Sequence, residues 1–581
     1  MNFEKRPTIK ISGRQSIGGW ENISSELINY GNIHPNSKTI VTVECYQGVF
    51  VKEVISHLQE AFNPVLLLEE KDYLRSEEEI RELTQADVTE DRIFGRITTL
   101  EMKDLIDTQK VEKCHNQIKK ITSGIILIVG TGASLVAQKT DILVYADMAR
   151  WEIQLRMRKN EVSNIGIHNH LAGIEEKYKI GYFVDWRICD KLKKQLHDKI
   201  DYVLDTNKRE EPKLIDKETF DAVLKHTVER PFSLVPFFDP GPWGGQWMKK
   251  VCNLDGNMDN YAWCFNCVPE ENSILFEFDN GDIVELPSIN VVFFHPIELL
   301  GKKVYKYFGD EFPIRFDFLD TIGGGNLSLQ VHPSKKYIED EFGLTYTQDE
   351  SYYMMDAQEG AKVYLGLKKD IDPKAMINDL RHSNNGGVSF NAENYMAIWP
   401  TKKHDHFLIP NGTVHCSGQG CMVLEISATP YIFTFKLWDW DRLGLDGKPR
   451  PINIERGEKV IEWTRDEDWV EEHLINQFQK INEGDGWIEE KTGLHNSQFI
   501  ETRRHWFSKP VPHKANGSVT VFNLVEGDEA TVSSPVNAFE PFTVHYAETF
   551  IIPASIQEYI IEPTGKSVGK KIATIKAFVR I

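Results

Sequence analysis

The rhythm of hydrophobic positions changes near residue 230. Before it, short continuous apolar runs alternate with stretches whose apolar residues recur every three or four positions. Runs 39–46, 64–70, 124–130 and 141–147 read as buried strands. Runs 51–62, 148–161 and 186–205 read as amphipathic helices. Strands alternating with helices predict an α/β domain with a largely parallel sheet over 1–230.

The segment RPFSLVPFFDPGPWGGQW (230–247) is rich in Pro, Gly and aromatics, as boundaries often are. Beyond it come short β-like runs separated by turns: SILFEF, IVELPS, NVVFFHP, NLSLQVHP, SYYMMDA, KVYLGL, HFLIPNGTVH, CMVLEIS and YIFTFKLWDW. That pattern predicts antiparallel sandwiches or barrels. Helical insertions are expected at 372–382 and 467–481, and β-like runs return from about 486. The expected division is an α/β domain (1–230), a mainly-β domain (235–455), a helical segment (456–485) and a second β-unit (486–581).

Composition narrows the class. The 581 residues are 41% hydrophobic and 27% charged, enough for several cores. The formal net charge of −20 repels phosphate backbones, which argues against nucleic acid as a partner. Eight scattered cysteines do not form a secreted disulfide framework. The N-terminus has no signal-peptide apolar core, and the longest apolar run is too short for a bilayer. A cytoplasmic protein with reduced thiols is expected, its oligomeric state left open.

Chemistry concentrates in three runs. In NLSLQVHP (326–333), Gln330 and His332 share a strand face opposite Leu329 and Val331. Glu350 opens the run ESYYMMDA, and His415 follows the Pro-Asn-Gly turn of HFLIPNGTVH, emerging from what reads as a hairpin. His404 and His406 compete as ligands. Two imidazoles, a carboxylate and an amide oxygen suit zinc with an open water position, with iron, manganese or nickel as alternatives.

The ordered set QVHP, DESYYMMDA, IPNGTVH and VLEISATP…KLWDWDR resembles type I mannose-6-phosphate isomerase, as do WGGQW (243–247) and YAWCFNCVPEENS (261–273). The resemblance spans about 235–581 and implies a cupin (jelly-roll) barrel with a second, metal-free cupin-like unit. It implies one Zn2+ per chain on Gln330, His332, Glu350 and His415. By the same resemblance Glu425 matches a position in the family's sugar pocket, and Lys436 stands where the family carries arginine. Arg442, six residues on, would share its strand face and help hold a phosphate. Where the family has lysine two residues before the ligating glutamate, this chain has Gln348. The implied activity is isomerisation of mannose 6-phosphate and fructose 6-phosphate or a related sugar, with Lys436, Glu425 and Arg442 as catalytic residues. The alternative is a non-catalytic metal-containing cupin that senses a sugar or sugar phosphate.

The N-terminal domain resembles a P-loop nucleoside (uridine) kinase in its strand–loop–helix run TIVTVECYQGVFVKEVISHL. Of the phosphate loop only Gly48 and Lys52 survive, at the wrong spacing, so a relic used for regulation or assembly is expected. Cys264 and Cys267 read as buried thiols, His168 and His170 as a polar loop, and Gln557 as the residue replacing a histidine in the second β-unit.

Overall fold

The computed structural model describes residues 2–31, 37–428, 434–443, 450 and 452–580. They divide into two compact units. One comprises Thr8–Lys225 with Ser273–Asn290, the other Met1–Pro7, His226–Asn272 and Val291–Ile581. No helix among the described residues is long and apolar enough to cross a membrane.

The first unit is built on a seven-stranded sheet. Strands Tyr202–Asp205, Ile142–Asp147, Lys38–Cys45, Gly124–Gly130 and Leu66–Glu69 lie in that order and run parallel. Lys213–Asp216 and Ile17–Gly18 extend the sheet antiparallel. Parallel strands covered on both faces need apolar side chains at every position, hence the unbroken runs. Val41, Val43, Ile126 and Leu127 are all fully buried. The run 186–205 is not one helix. It ends at Leu196, and Tyr202–Asp205 is a strand that pairs in parallel with Ile142–Asp147.

Strands Ser273–Phe278 and Ile283–Pro287 also belong to this unit. They pair with each other, and the former pairs in parallel with Thr8–Ile11. Sequence pattern had placed them with the β-rich region that follows. The run 290–296, read as β, is helical at Ile289–Phe294.

The second unit contains four antiparallel sheets among the described residues. A six-stranded sheet has the order His406–Ile409, Asp349–Ala357, Cys421–Ala428, Arg315–Asp320, Trp263–Cys267, Phe237–Asp239. A five-stranded sheet has the order Met396–Pro400, Lys362–Leu367, His415–Ser417, Leu329–Val331, Phe435–Trp438. The insertion at 372–382 is the helix Pro373–Asn384. The run 467–481 is helical only over Glu467–His473. Asn476 takes a positive φ of 51°, which Asn tolerates better than most residues, and its Nδ2 donates to Asp405. A strand, Gln479–Gly484, follows.

The remaining two sheets enclose a core of Phe522, Leu524, Val532, Val544, Phe550 and Ile561. One end of this interior is charged. Glu489 faces His505, Arg503 and Lys576, each at 3.2 Å. The His505 ring packs edge-on against His513 at 4.7 Å, and His513 stacks on Tyr559 at 5.0 Å.

Burial lowers the His505 pKa from its ordinary 6.5 to about 4, opposed by Glu489 and reinforced by Lys576 and Arg503. Burial lowers His513 further, with His505 and Lys576 adding to it. The unfolded chain takes up these protons below about pH 6.5, whereas folded His505 takes one up only near pH 4. Stability must therefore fall as pH falls across that window. Hydrogen exchange of the strand Ile500–Phe507, corrected for intrinsic rates, should show about 2 kcal/mol less protection per histidine at about pH 5 than at about pH 7. His513→Phe should remove its share of that loss.

Candidate metal centre

The two large antiparallel sheets bring distant strands to one buried point. Glu350 comes from Asp349–Ala357 in the six-stranded sheet. Gln330 and His415 come from directly paired strands of the five-stranded sheet, with His332 just beyond the first. The turn before His415 is not a hairpin. His406–Ile409 pairs with the Glu350 strand, while His415–Ser417 pairs with Gln330 and with Val363–Leu365, so the Pro-Asn-Gly turn carries the chain from one sheet to the other. Gly412 has φ +83°, and a Cβ there would meet Glu462 Cγ at 2.7 Å, so the crossover requires glycine.

His332, Glu350 and His415 form the one group of three or more His, Cys, Asp or Glu side chains, among the described residues, whose ligand atoms lie within 4.8 Å of one another. All three are fully buried. Glu350 Oε2 is 3.1 Å from His332 Nε2, Glu350 Oε1 is 2.9 Å from His415 Nε2, and the Gln330 amide nitrogen Nε2 is 3.2 Å from His415 Nε2. Donors around a tetrahedral ion with bonds of 2.0–2.1 Å stand about 3.3 Å apart, so the two Glu350–imidazole spacings fit such an ion, and Gln330 would offer its amide oxygen. His415 Nδ1 lies 2.8 Å from the Thr413 carbonyl. With its proton directed there, Nε2 keeps its lone pair for a metal.

The surroundings hold Glu350 as a carboxylate. Burial alone would push its carboxyl up, but the His332 and His415 imidazoles hold it well below the usual range. Gln348 Nε2 also donates to Glu350 Oε2 at 2.7 Å, while Gln348 Oε1 is buried with no hydrogen-bond partner among the described residues. Sequence reasoning marked Gln348 only as a departure. Its contact with Glu350 follows from both residues lying buried at this point.

Glu425 lies opposite Tyr352, which is two residues from Glu350 on the same strand, so all three share one sheet face. Asp317 lies on Glu425's other side. Burial, with the Glu350 and Asp317 charges beside it, pushes the Glu425 carboxyl well above the usual range. Burial also pushes Asp317 up to about 7, against the pull of Arg315. Asp317 and Tyr352 were missed from sequence, although an acid alternating within the buried RFDFLD strand was an available signal.

Lys436 is paired across strands with Gln330 and shares its face. Arg442 does not share that strand. The strand ends at Trp438, and Trp440 and Asp441 turn the chain with positive φ of 57° and 55°. The even-spacing argument therefore fails for Arg442. Its guanidinium donates to Asp439 Oδ1 at 2.7 Å, and Arg450 donates to Asp439 Oδ2 at 2.9 Å. Positions 429–433 of the run VLEISATP…KLWDWDR lie outside the described residues.

The competing ligands stand apart from the group. His404 packs between Tyr353 Oη, at 2.9 Å, and Glu526, at 3.1 Å. Buried His406 has its pKa lowered to about 3 by burial and by Arg504. Cys264 and Cys267 are buried free thiols. His168 sits exposed beside Glu77, and Gln557 donates to the Ala554 carbonyl. In the first unit, the Gly48 carbonyl accepts from the fully buried Arg156 at 2.9 Å, and Glu44 accepts from the Gly132 and Ser134 amides at 2.6 and 2.8 Å.

A family model described as a domain of unknown function (DUF8485) matches residues 19–229. The mannose-6-phosphate isomerase of Streptococcus mutans is 27% identical over 226 residues, 38% of this chain and 64% of that protein. The chain thus spans just under two thirds of that relative. Mannose-6-phosphate isomerase ManA of Bacillus subtilis is 24% identical over 233 residues, 40% of this chain and 68% of that protein. A crystal structure of the Bacillus subtilis mannose 6-phosphate isomerase matches 60% of this chain and 99% of its own at 16% identity, with a TM-score of 0.47.

Asp439 is the anchor of two largely buried guanidinium groups, and Ser328 Oγ donates to it as well, at 2.7 Å. Asp439→Ala leaves both arginines without that carboxylate and should destabilise the unit by about 3 kcal/mol in urea unfolding. Arg442→Ala, which leaves Arg450 on Asp439, should cost clearly less.

Proposed function

We propose that the unit holding this cluster is a zinc-dependent aldose–ketose isomerase acting on mannose 6-phosphate and fructose 6-phosphate or a closely related sugar phosphate. The observation that carries the reading is the buried cluster of His332, Glu350 and His415, with Glu350 oxygens 3.1 and 2.9 Å from the two imidazoles and Gln330 paired directly with His415. Similarity to mannose-6-phosphate isomerases over about 40% of the chain supports it. The paired sheets around the cluster read as a cupin barrel, and the sheets after it as a second, metal-free one.

Isomerisation moves a proton between adjacent carbons while negative charge develops on their oxygens. A zinc ion on the four donors would supply Lewis-acid support for that charge. Lys436, on the same face as Gln330, would add a cation to that support. Glu425, on the Glu350 face, offers a carboxyl to carry the proton. Arg442 acts as a positioning residue through Asp439, holding the end of the Lys436 strand.

The first unit reads as a kinase-like sheet without a working phosphate loop. Its loop carbonyl at Gly48 is engaged by Arg156, and the amides of Gly132 and Ser134 by Glu44, which leaves those groups committed within the protein.

A second reading, a metal-containing sugar sensor without turnover, is favoured by Gln348. It puts a neutral amide, already donating to Glu350, where the resembled enzymes carry an ammonium. A coupled assay for fructose 6-phosphate formed from mannose 6-phosphate separates the two. Zinc-loaded protein should turn over, and both chelated protein and His332→Ala should lose at least about a hundredfold in rate. Zinc-holding protein that is stabilised by mannose 6-phosphate without turning it over would instead establish the sensor.

A further inference from the structure

A cavity of about 400 Å3 opens in the second unit, between the far end of the Glu350 strand and the Glu526–Glu529 turn. That volume suits a small metabolite. Asp356, at its edge, lies six residues along the strand from Glu350, about 20 Å away in an extended chain. The cavity is therefore separate from the metal centre.

Its floor is aromatic. Trp247 and Tyr546 meet edge to face with centroids 6.0 Å apart. Their polar atoms are committed: Trp247 Nε1 donates to Asp356 at 2.9 Å, and Tyr546 Oη donates to the Met355 carbonyl at 3.2 Å. Trp247 is 7% exposed and the Lys403 ammonium lies over the Tyr546 ring at 5.4 Å, so what reaches the cavity is the carbon of Tyr546 that Lys403 leaves uncovered, a surface for sugar C–H groups.

Among the described residues its walls carry four lysines and four acids, of which only two of each are paired with one another. Lys403 is paired with Glu526, and Lys570 with Asp528 at 3.0 Å. Lys566 and Lys571 have no carboxylate within ion-pairing distance among the described residues, and Lys571 rests over the Trp506 ring at 5.2 Å. The turn that brings these acids to the cavity depends on Gly527, whose φ is +108° and where a Cβ would stand 2.4 Å from Ile572 Cγ2.

Two ammonium groups without an ion-pair partner among the described residues, two carboxylates likewise free to accept from hydroxyls, and an aromatic edge complement one kind of molecule. It has an anionic end, a hydroxylated body and an apolar ring face. We infer that this cavity is a second ligand site, for a sugar phosphate, with the phosphate on Lys566 and Lys571, the hydroxyls on Asp356 and Glu529, and the ring against Tyr546. Nothing in the metal centre takes part in it, so it binds whether or not that centre is intact.

Thermal unfolding of the full-length protein tests this, with glucose 6-phosphate, glucose and inorganic phosphate as probes. The proteins compared are wild type, His332→Ala and the double variant Lys566→Glu/Lys571→Glu. Both lysines are exposed, so the double variant should fold. Glucose 6-phosphate should raise Tm equally in wild type and His332→Ala, and more than glucose or phosphate at the same concentration. The double variant should need more than about tenfold more ligand for the same shift. Three results would overturn the assignment. They are no shift in wild type, a shift lost in His332→Ala but kept in the double variant, or an equal shift from phosphate alone.

Discussion

Glu350 is the constraint around which the second unit is arranged. A carboxylate with no solvent exposure is tolerated only where cations or donors surround it. Here the partners come from both sheets: Gln348 from its own chain segment, His332 and His415 from the facing sheet. That meeting fixes the register in which the sheets oppose each other. A slip of one residue would turn Glu350 outward and leave two buried imidazoles facing apolar carbon. The apolar residues on either side, such as Leu329, Val331 and Tyr353, follow from this placement, because strand alternation leaves them the opposite faces.

Much of this was legible in the amino-acid order because strand periodicity is local. Gln330 and His332 are two residues apart, so they must share a face, and the unbroken runs of the first unit announce parallel strands. Pairing is not local, and the errors lie there. Nothing in HFLIPNGTVH distinguishes a hairpin from a crossover between sheets, since the same Pro-Asn-Gly turn serves both. Ser273–Phe278 looks like any barrel strand until Thr8–Ile11, more than 260 residues earlier, turns out to be its neighbour. Arg442 was misplaced because counting by twos holds only while the strand continues, and two residues with positive φ had already ended it.

The charged interiors of the second unit show two ways of treating ions. Glu489 collects two cations and the neutral His505 imidazole and closes one end of the last sheet pair, and Asp439 collects two cations beside the Lys436 strand. Such clusters satisfy themselves within the protein. Around Trp247 and Tyr546 the pairing is left open, with two ammonium groups, Lys566 and Lys571, and two carboxylates, Asp356 and Glu529, outside the ion pairs of the described residues. The difference is invisible in net charge and appears only when partners are assigned one by one.

Both units are threaded through each other in chain order. The segment ending at Pro7 belongs to the second unit: Phe3 packs on Phe238 with ring centroids 5.9 Å apart, and Lys5 Nζ donates to the Asn253 carbonyl at 2.8 Å. The first unit in turn reclaims Ser273–Asn290 from the middle of the second. During synthesis, the parallel sheet can form long before its added hairpin emerges, and the first strand of that hairpin's sheet must wait for residues made much later. A gene cut at residue 230 would therefore yield two fragments, each lacking a piece that the other carries.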